Sequence, residues 1–132
     1  MTHASLKKYQ QTNKSNAQQA SPYRLVAMLF QKLLDNIATA KGAIAQNDFA
    51  KKGGEISNAI AIIGVLEASL DFEQGGDVSN NLASLYTFCS QQLLLASTDN
   101  DVDKLEEIIQ ILLPIKAGWD AIPLDNRNQV SF

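Results

Sequence analysis

Ser21-Pro22-Tyr23-Arg24-Leu25-Val26-Ala27-Met28-Leu29-Phe30-Gln31-Lys32-Leu33-Leu34 is the stretch that decides the fold, because a polar leader gives way here to the most hydrophobic run in the chain. Ser21 can accept a hydrogen bond from the unpaired N–H groups of a first helical turn. Pro22 stands where a missing N–H and a fixed φ cost nothing, so a helix begins at this point. Leu25 to Phe30 are consecutive and apolar, so their side chains point all round that helix instead of along one stripe. A helix of this kind has to be covered on more than one side.

Working outward, the first helix is expected from Pro22 to Gln46, with Val26, Phe30, Leu33, Ile37, Ala40 and Ile44 at three- and four-residue spacing. Asn47-Asp48 offers a stop and a new cap. A second helix follows from Phe49 to Ser69 on Ile56, Ile60, Ile63 and Leu66. Gly42, Gly53, Gly54 and Gly64 fall inside these two helices, where each costs up to about 1 kcal/mol relative to alanine. Close backbone packing or helix plasticity would account for them.

Asp71-Phe72-Glu73-Gln74-Gly75-Gly76-Asp77 reads as a loop, with positive φ available at the glycine pair and Asp77 as the next cap. The third helix is expected from Val78 to Ser97, with Val78, Leu82, Leu85, Cys89, Leu93 and Ala96 facing inward. Tyr86, Phe88 and Leu95 fall off that seam. Thr98-Asp99-Asn100-Asp101 gives a polar turn with several possible caps, and a fourth helix follows on Val102, Leu105, Ile108, Ile109, Leu112 and Leu113. Pro114 is expected to kink or break it before the segment carrying Trp119. No stretch alternates with period two. The fold is therefore all-α, an antiparallel up-down four-helix bundle over residues 21–122, preceded by a mobile arm over 1–20 and followed by a loose tail over 123–132.

Charge and cysteine content narrow the function. Lys7, Lys8 and Lys14 lie in a leader without acids, which leaves eight basic against fourteen acidic residues beyond it, a net of −6. Such a body is a poor surface for nucleic acid. The lone Cys89 has no partner for a disulfide or a zinc motif, which fits a reducing cytosol. No apolar run reaches the ~20 residues of a membrane span, so membrane insertion is not expected.

Chemistry is hard to place. His3 stands alone in the leader, and Cys89 on a packed seam is a small buried hydrophobe before it is a nucleophile. Asp99, Asp101 and Asp103 lack the glycine and glutamate of a calcium loop, so capping accounts for them better. Gly75-Gly76 follows no strand and precedes no lysine, unlike a phosphate cradle. A carboxylate-bridged metal bundle needs a histidine- and glutamate-rich inward motif that is missing. These readings predict no enzyme, no cofactor and no metal.

Four blocks resemble a known family: Ala20-Ser21-Pro22 leading to Leu25 and Met28-Leu29-Phe30; Asn58-Ala59-Ile60-Ala61-Ile62-Ile63; Leu70-Asp71-Phe72-Glu73-Gln74-Gly75-Gly76; and Asn81-Leu82-Ala83-Ser84-Leu85-Tyr86. With Trp119 they resemble the flagellin-specific export chaperones of the bacterial flagellum, the FliS type, over Tyr9 to Trp119. The resemblance implies a non-enzymatic cytosolic chaperone that binds the disordered C-terminal segment of flagellin. It also implies that the chaperone prevents premature polymerisation and aids delivery to the membrane-embedded flagellar export gate. Coupled folding of such a client lets a small protein wrap a large surface.

On that resemblance, the client groove is expected among Leu25, Met28, Leu29, Leu33, Ile60, Ile63, Leu82, Leu85 and Tyr86. Asn81 is a polar anchor and Tyr9 a removable lid. A leucine or isoleucine at helical spacing is more often core than groove, so the set is over-inclusive. Thr87, Gln91-Gln92, Ser97 and Gln31 depart from the family's usual acidic, basic and asparagine residues, which alters the polar contacts available to client or gate. The alternative reading is a bundle that dimerises through the same apolar surface or serves another flagellar or regulatory client.

Overall fold

The computed structural model describes residues 21–123. Four helices fill them: α1 (Pro22–Ala45), α2 (Phe49–Ala68), α3 (Phe72–Asp99) and α4 (Val102–Asp120). The arm, Tyr9 and the tail from residue 124 lie outside the described residues. No strand occurs among those described, and the all-α bundle expected from the sequence is the fold observed.

The helix starts follow from capping chemistry. Ser21 is extended, and its hydroxyl oxygen accepts from the Arg24 N–H at 3.2 Å with Pro22 in the first turn. Two junctions then use one device: an asparagine in the left-handed region ends a helix, and the following aspartate caps the next. Asn47 (φ 58°) precedes Asp48, which accepts from the Lys51 N–H at 3.1 Å. Asn100 (φ 52°) precedes Asp101, which accepts from the Lys104 N–H at 3.0 Å. Asparagine tolerates this backbone better than most residues, and aspartate satisfies the orphan donors that follow.

Each helix packs on its chain neighbours, and α1 also packs on α4, closing the ring. Polar contacts between helices fix the antiparallel sense. Lys41 late in α1 pairs with Glu106 early in α4. Tyr23 at the start of α1 meets Trp119 at the end of α4. Lys52 early in α2 donates to the Ser97 carbonyl late in α3 at 2.8 Å.

The opening run is consumed by the core more fully than its composition suggests. Leu25, Val26, Leu29, Phe30, Leu33 and Leu34 are all buried, so α1 is covered across a wide arc. Asn36 sits among them, fully buried, with its amide nitrogen lacking an acceptor among the described residues.

One local expectation is corrected. Phe72 to Gly75 is a helical turn, not open loop, because Asp71 accepts from the N–H groups of Glu73 and Gln74 at 3.1 and 3.0 Å. The turn joins the rest of α3 through Gly76, whose φ of 50° and ψ of −123° break the helical backbone. The buried Ser79 hydroxyl donates to the Asp71 carbonyl at 2.9 Å across this corner.

Pro114, where a kink or break was expected, lies inside α4, which continues past it to Asp120. The proline is exposed, and its ring leaves the Gln110 carbonyl without its usual helical donor. The following turn is held by Trp119, buried and hydrogen-bonded to α1.

Candidate binding surface

The residues singled out in the sequence separate into two groups. Leu25, Leu29, Leu33, Ile63, Leu82 and Tyr86 are buried in the core. Met28, Ile60 and Leu85 are half-buried and Asn81 is exposed, so the four that reach solvent are spread over three helices. The inward seam of α3 is also rotated from the expected one. It consists of Ser79, Leu82, Tyr86, Cys89, Leu93 and Ala96, with Tyr86 inside and Val78 and Leu85 turned outward.

The outer side of the same helix carries the surface of interest. Val78, Phe88, Leu94 and Leu95 are exposed on α3, at 52%, 45%, 62% and 48%. Asn81, Phe88 and Leu95 are seven residues apart and form one line along the helix, flanked by Ser84 and Gln91 on one side and Leu85 and Gln92 on the other. From Val78 through Thr98 no Asp, Glu, Lys or Arg occurs. Phe88 and Leu95 had already fallen off the seam in the sequence; the missing charge was the further signal that marks them as a surface strip.

Among the described residues, two lysines touch α3 from its neighbours, both in its C-terminal third. Lys52 donates to the Ser97 carbonyl and the Asn100 side-chain oxygen, each at 2.8 Å, and its ammonium lies 5.5 Å from the centroid of the Phe49 ring. Lys104 donates to Gln92 Oε1 at 3.0 Å. A helix C-terminus favours cations, so Lys52 stabilises the end of α3, while Lys104 brings its ammonium to Gln92, between Phe88 and Leu95.

The outer side of α2 has a different texture. Ala50, Gly54, Ser57, Ala61, Gly64 and Ala68 alternate at four- and three-residue spacing and are all exposed. A Cβ added at Gly54 or Gly64 would meet nothing within 4 Å, so these glycines do not serve close packing inside the bundle.

Beneath the strip, Tyr86 and Cys89 are buried side chains with no solvent path for chemistry. Burial raises the Tyr86 phenol well above its ordinary value, with the Cys89 charge adding to the effect. Burial alone pushes the Cys89 thiol up to about 11, the opposite of an activated nucleophile. Among the described residues no three His, Cys, Asp or Glu side chains are grouped to hold a metal. No described helix is long and apolar enough to cross a membrane.

An acid-capped, ring-closed bundle with a neutral apolar strip on its third helix now has a family to be compared with. Residues 5–126 match the family model described as flagellar protein FliS. The chain belongs to the FliS family. It is 40% identical over 118 residues to the flagellar secretion chaperone FliSB of Pseudomonas aeruginosa, covering 89% of this chain and 94% of that one. It is 36% identical over 123 residues to the flagellar secretion chaperone FliS of Salmonella typhimurium, covering 92% and 91%. For the flagellar secretion chaperone FliS of Vibrio cholerae the identity is 36% over 109 residues, covering 83% and 80%. Within this FliS-family chain, Asp71 to Gly76 is the helix-capping corner and Asn81 to Tyr86 carries two core residues, Leu82 and Tyr86, and the start of the exposed strip.

Proposed function

We propose that this FliS-family protein is a cytosolic, non-enzymatic export chaperone. In this reading it binds the disordered C-terminal segment of flagellin, holds it unpolymerised and aids its delivery to the membrane-embedded export gate. The observation that carries the reading is the neutral strip of α3, where Phe88, Leu94 and Leu95 stand exposed in a family of flagellar secretion chaperones. Exposed apolar side chains in one contiguous surface mark an interaction site. A client that is disordered until bound contributes its own apolar face and folds against the strip, which gives a releasable complex of large contact area.

Of the residues named from the sequence, Met28, Ile60, Leu85 and Asn81 are accessible for direct contact, while the other six are buried in the core. Tyr9 is retained as a lid that competes with the client.

The test is titration of the full chain with a C-terminal flagellin segment from the same cell, followed by helicity and amide hydrogen exchange. Micromolar or tighter binding with a gain of helix and protection along α3 is expected. Absence of binding by an intact segment refutes the chaperone reading. Removal of residues 1–18 is expected to leave affinity unchanged or raised, and a large loss would make the arm a direct contact.

A further inference from the structure

Lys104 Nζ donates to Gln92 Oε1 at 3.0 Å, which sets the register of α4 against the antiparallel α3. A helix returns to nearly the same side every seven residues, so Leu85 and Val78 follow Gln92 down α3 while Ile111 follows Lys104 up α4. Leu85 is therefore level with Ile111, and one turn nearer the same end of the bundle Asn81 is level with Ile115. Val78 and Asn81 are exposed, and Leu85, Ile111 and Ile115 are half-buried. Together they line a shallow apolar groove between the two helices, with Phe88 on its rim at 45% exposure. Lys104 and the exposed Glu107 border its far end.

The near end of the groove is where the chain leaves the bundle. By the same register, Asp120 is level with Gly76, at the start of the long part of α3. Trp119, buried and hydrogen-bonded to the Tyr23 carbonyl, and Ile122, packed against the core, fix that exit point. We propose that residues 124–132 turn back from Pro123 and run along this groove as an extended strap, seating Val130 and Phe132 against Leu85 and Phe88. The strap is an intramolecular cover for half of the α3 surface, and any partner of that side has to displace it.

Reach and spacing support this occupant. Phe88 lies about 18 Å along α3 from the level of the exit, at 1.5 Å per helical residue. The nine residues from Leu124 to Phe132 span up to about 30 Å when extended, enough to turn the corner and arrive there. Leu95 lies about 28 Å along, at the limit of a straight segment with no turn, so the strap leaves it uncovered. Val130 and Phe132 are two apart and share one side of an extended segment, about 6–7 Å from each other, close to the spacing of successive turns on α3.

The tether also favours this segment over the alternatives. A contact of two apolar side chains is too small to hold a separate molecule, whereas a short linker presents the segment at an effective concentration on the order of millimolar. Asp125 and Arg127 balance, so the strap adds no charge to an acidic chain, while a second copy would bring another −3. Residues 1–20 join the bundle at α1, which packs on α2 and α4 and stands across the ring from α3.

A nitroxide on Gln129→Cys in the full chain tests the strap by its paramagnetic broadening of backbone amide signals. Cys89 is buried with its thiol pushed up to about 11, so at neutral pH the label goes to the new cysteine. Broadening is expected to concentrate on residues 78–88 and 111–118, to fade towards Leu95, and to lose this focus when Phe132→Ser is added to the same chain. Both changes lie outside the helices, and circular dichroism with the thermal midpoint confirms that the bundle stays folded.

Broadening spread equally over the start of α1 and the end of α2 overturns the strap, because it reports a segment that visits the whole end of the bundle. A focused pattern that survives Phe132→Ser overturns the seating of Phe132. Broadening of an isotope-labelled, untagged chain by an added tagged chain overturns it as well, by assigning the groove to a second copy. No client is present in these samples, so the outcome stands apart from the client reading above.

Discussion

The Trp119 ring stacks on the Tyr23 ring at 5.6 Å between centroids and 10° between planes, and its indole N–H donates to the Tyr23 carbonyl at 2.9 Å. The Tyr23 hydroxyl donates to the Asp120 carbonyl at 3.2 Å. The first and last helices are thereby clasped at the end of the bundle where α1 begins and α4 ends. This clasp anchors the turns that follow Pro114.

Replacing Trp119 with alanine removes a buried aromatic and one end of the clasp. A loss of about 3–5 kcal/mol in urea unfolding is expected. Tyr23→Phe keeps the stacking and removes only the hydroxyl contact, so a loss of about 0.5–1.5 kcal/mol is expected. Equal losses for the two variants would mean that the stacking contributes little.

Pro114 is tolerated, not required. In an exposed helix interior, Pro114→Ala restores one backbone hydrogen bond and is expected to raise stability by about 1–3 kcal/mol. Hydrogen exchange should slow at the amides neighbouring position 114. A drop in stability would show that the ring itself packs usefully.

Gly54 and Gly64 face open space on the outer side of α2. Alanine at each should stabilise by about 0.5–1 kcal/mol, additively, since the sites are far enough apart to act independently. Denaturant midpoints of the two single variants and the double variant test this. A stability penalty would reveal contacts that α2 makes on that side.

Cys89 gives a pH signature. Its folded thiol ionises only at about 11, above the ordinary thiol value near 9. Between those values the native state holds a proton that the unfolded chain releases, so stability falls as pH rises from about 9. At neutral pH, alkylation of Cys89 should occur only on unfolding and follow the unfolding equilibrium with added urea. Rapid labelling of the fully folded chain would contradict its burial.

Much of the architecture could be read from local chemistry. Ser21-Pro22, Asn47-Asp48 and Asn100-Asp101 are start and stop signals whose hydrogen bonds involve residues no more than a turn away, so sequence order alone reveals them. The four apolar periodicities followed for the same reason. The glycine pair at 75–76 announced a backbone irregularity, and Gly76 has the positive φ. The capped turn before it was missed because Asp71 and Asp77 are equally good caps in sequence, and the buried Ser79 contact favours the first.

The surface was less legible. Leu25, Leu29 and Leu33 resemble surplus apolar surface until α2 and α4 are placed against both edges of α1, which absorbs them. On α3, a change of helix rotation moves Tyr86 inside and Leu85 to the edge, and periodicity cannot decide between seams that differ by one residue. What the chain determined by itself was where helices start, stop and reverse, since capping and turn chemistry act over a few residues. Only the tertiary structure decided which apolar side chains the bundle consumes and which, at Phe88 and Leu95, it leaves for a partner, because burial depends on the neighbours that each helix meets in space.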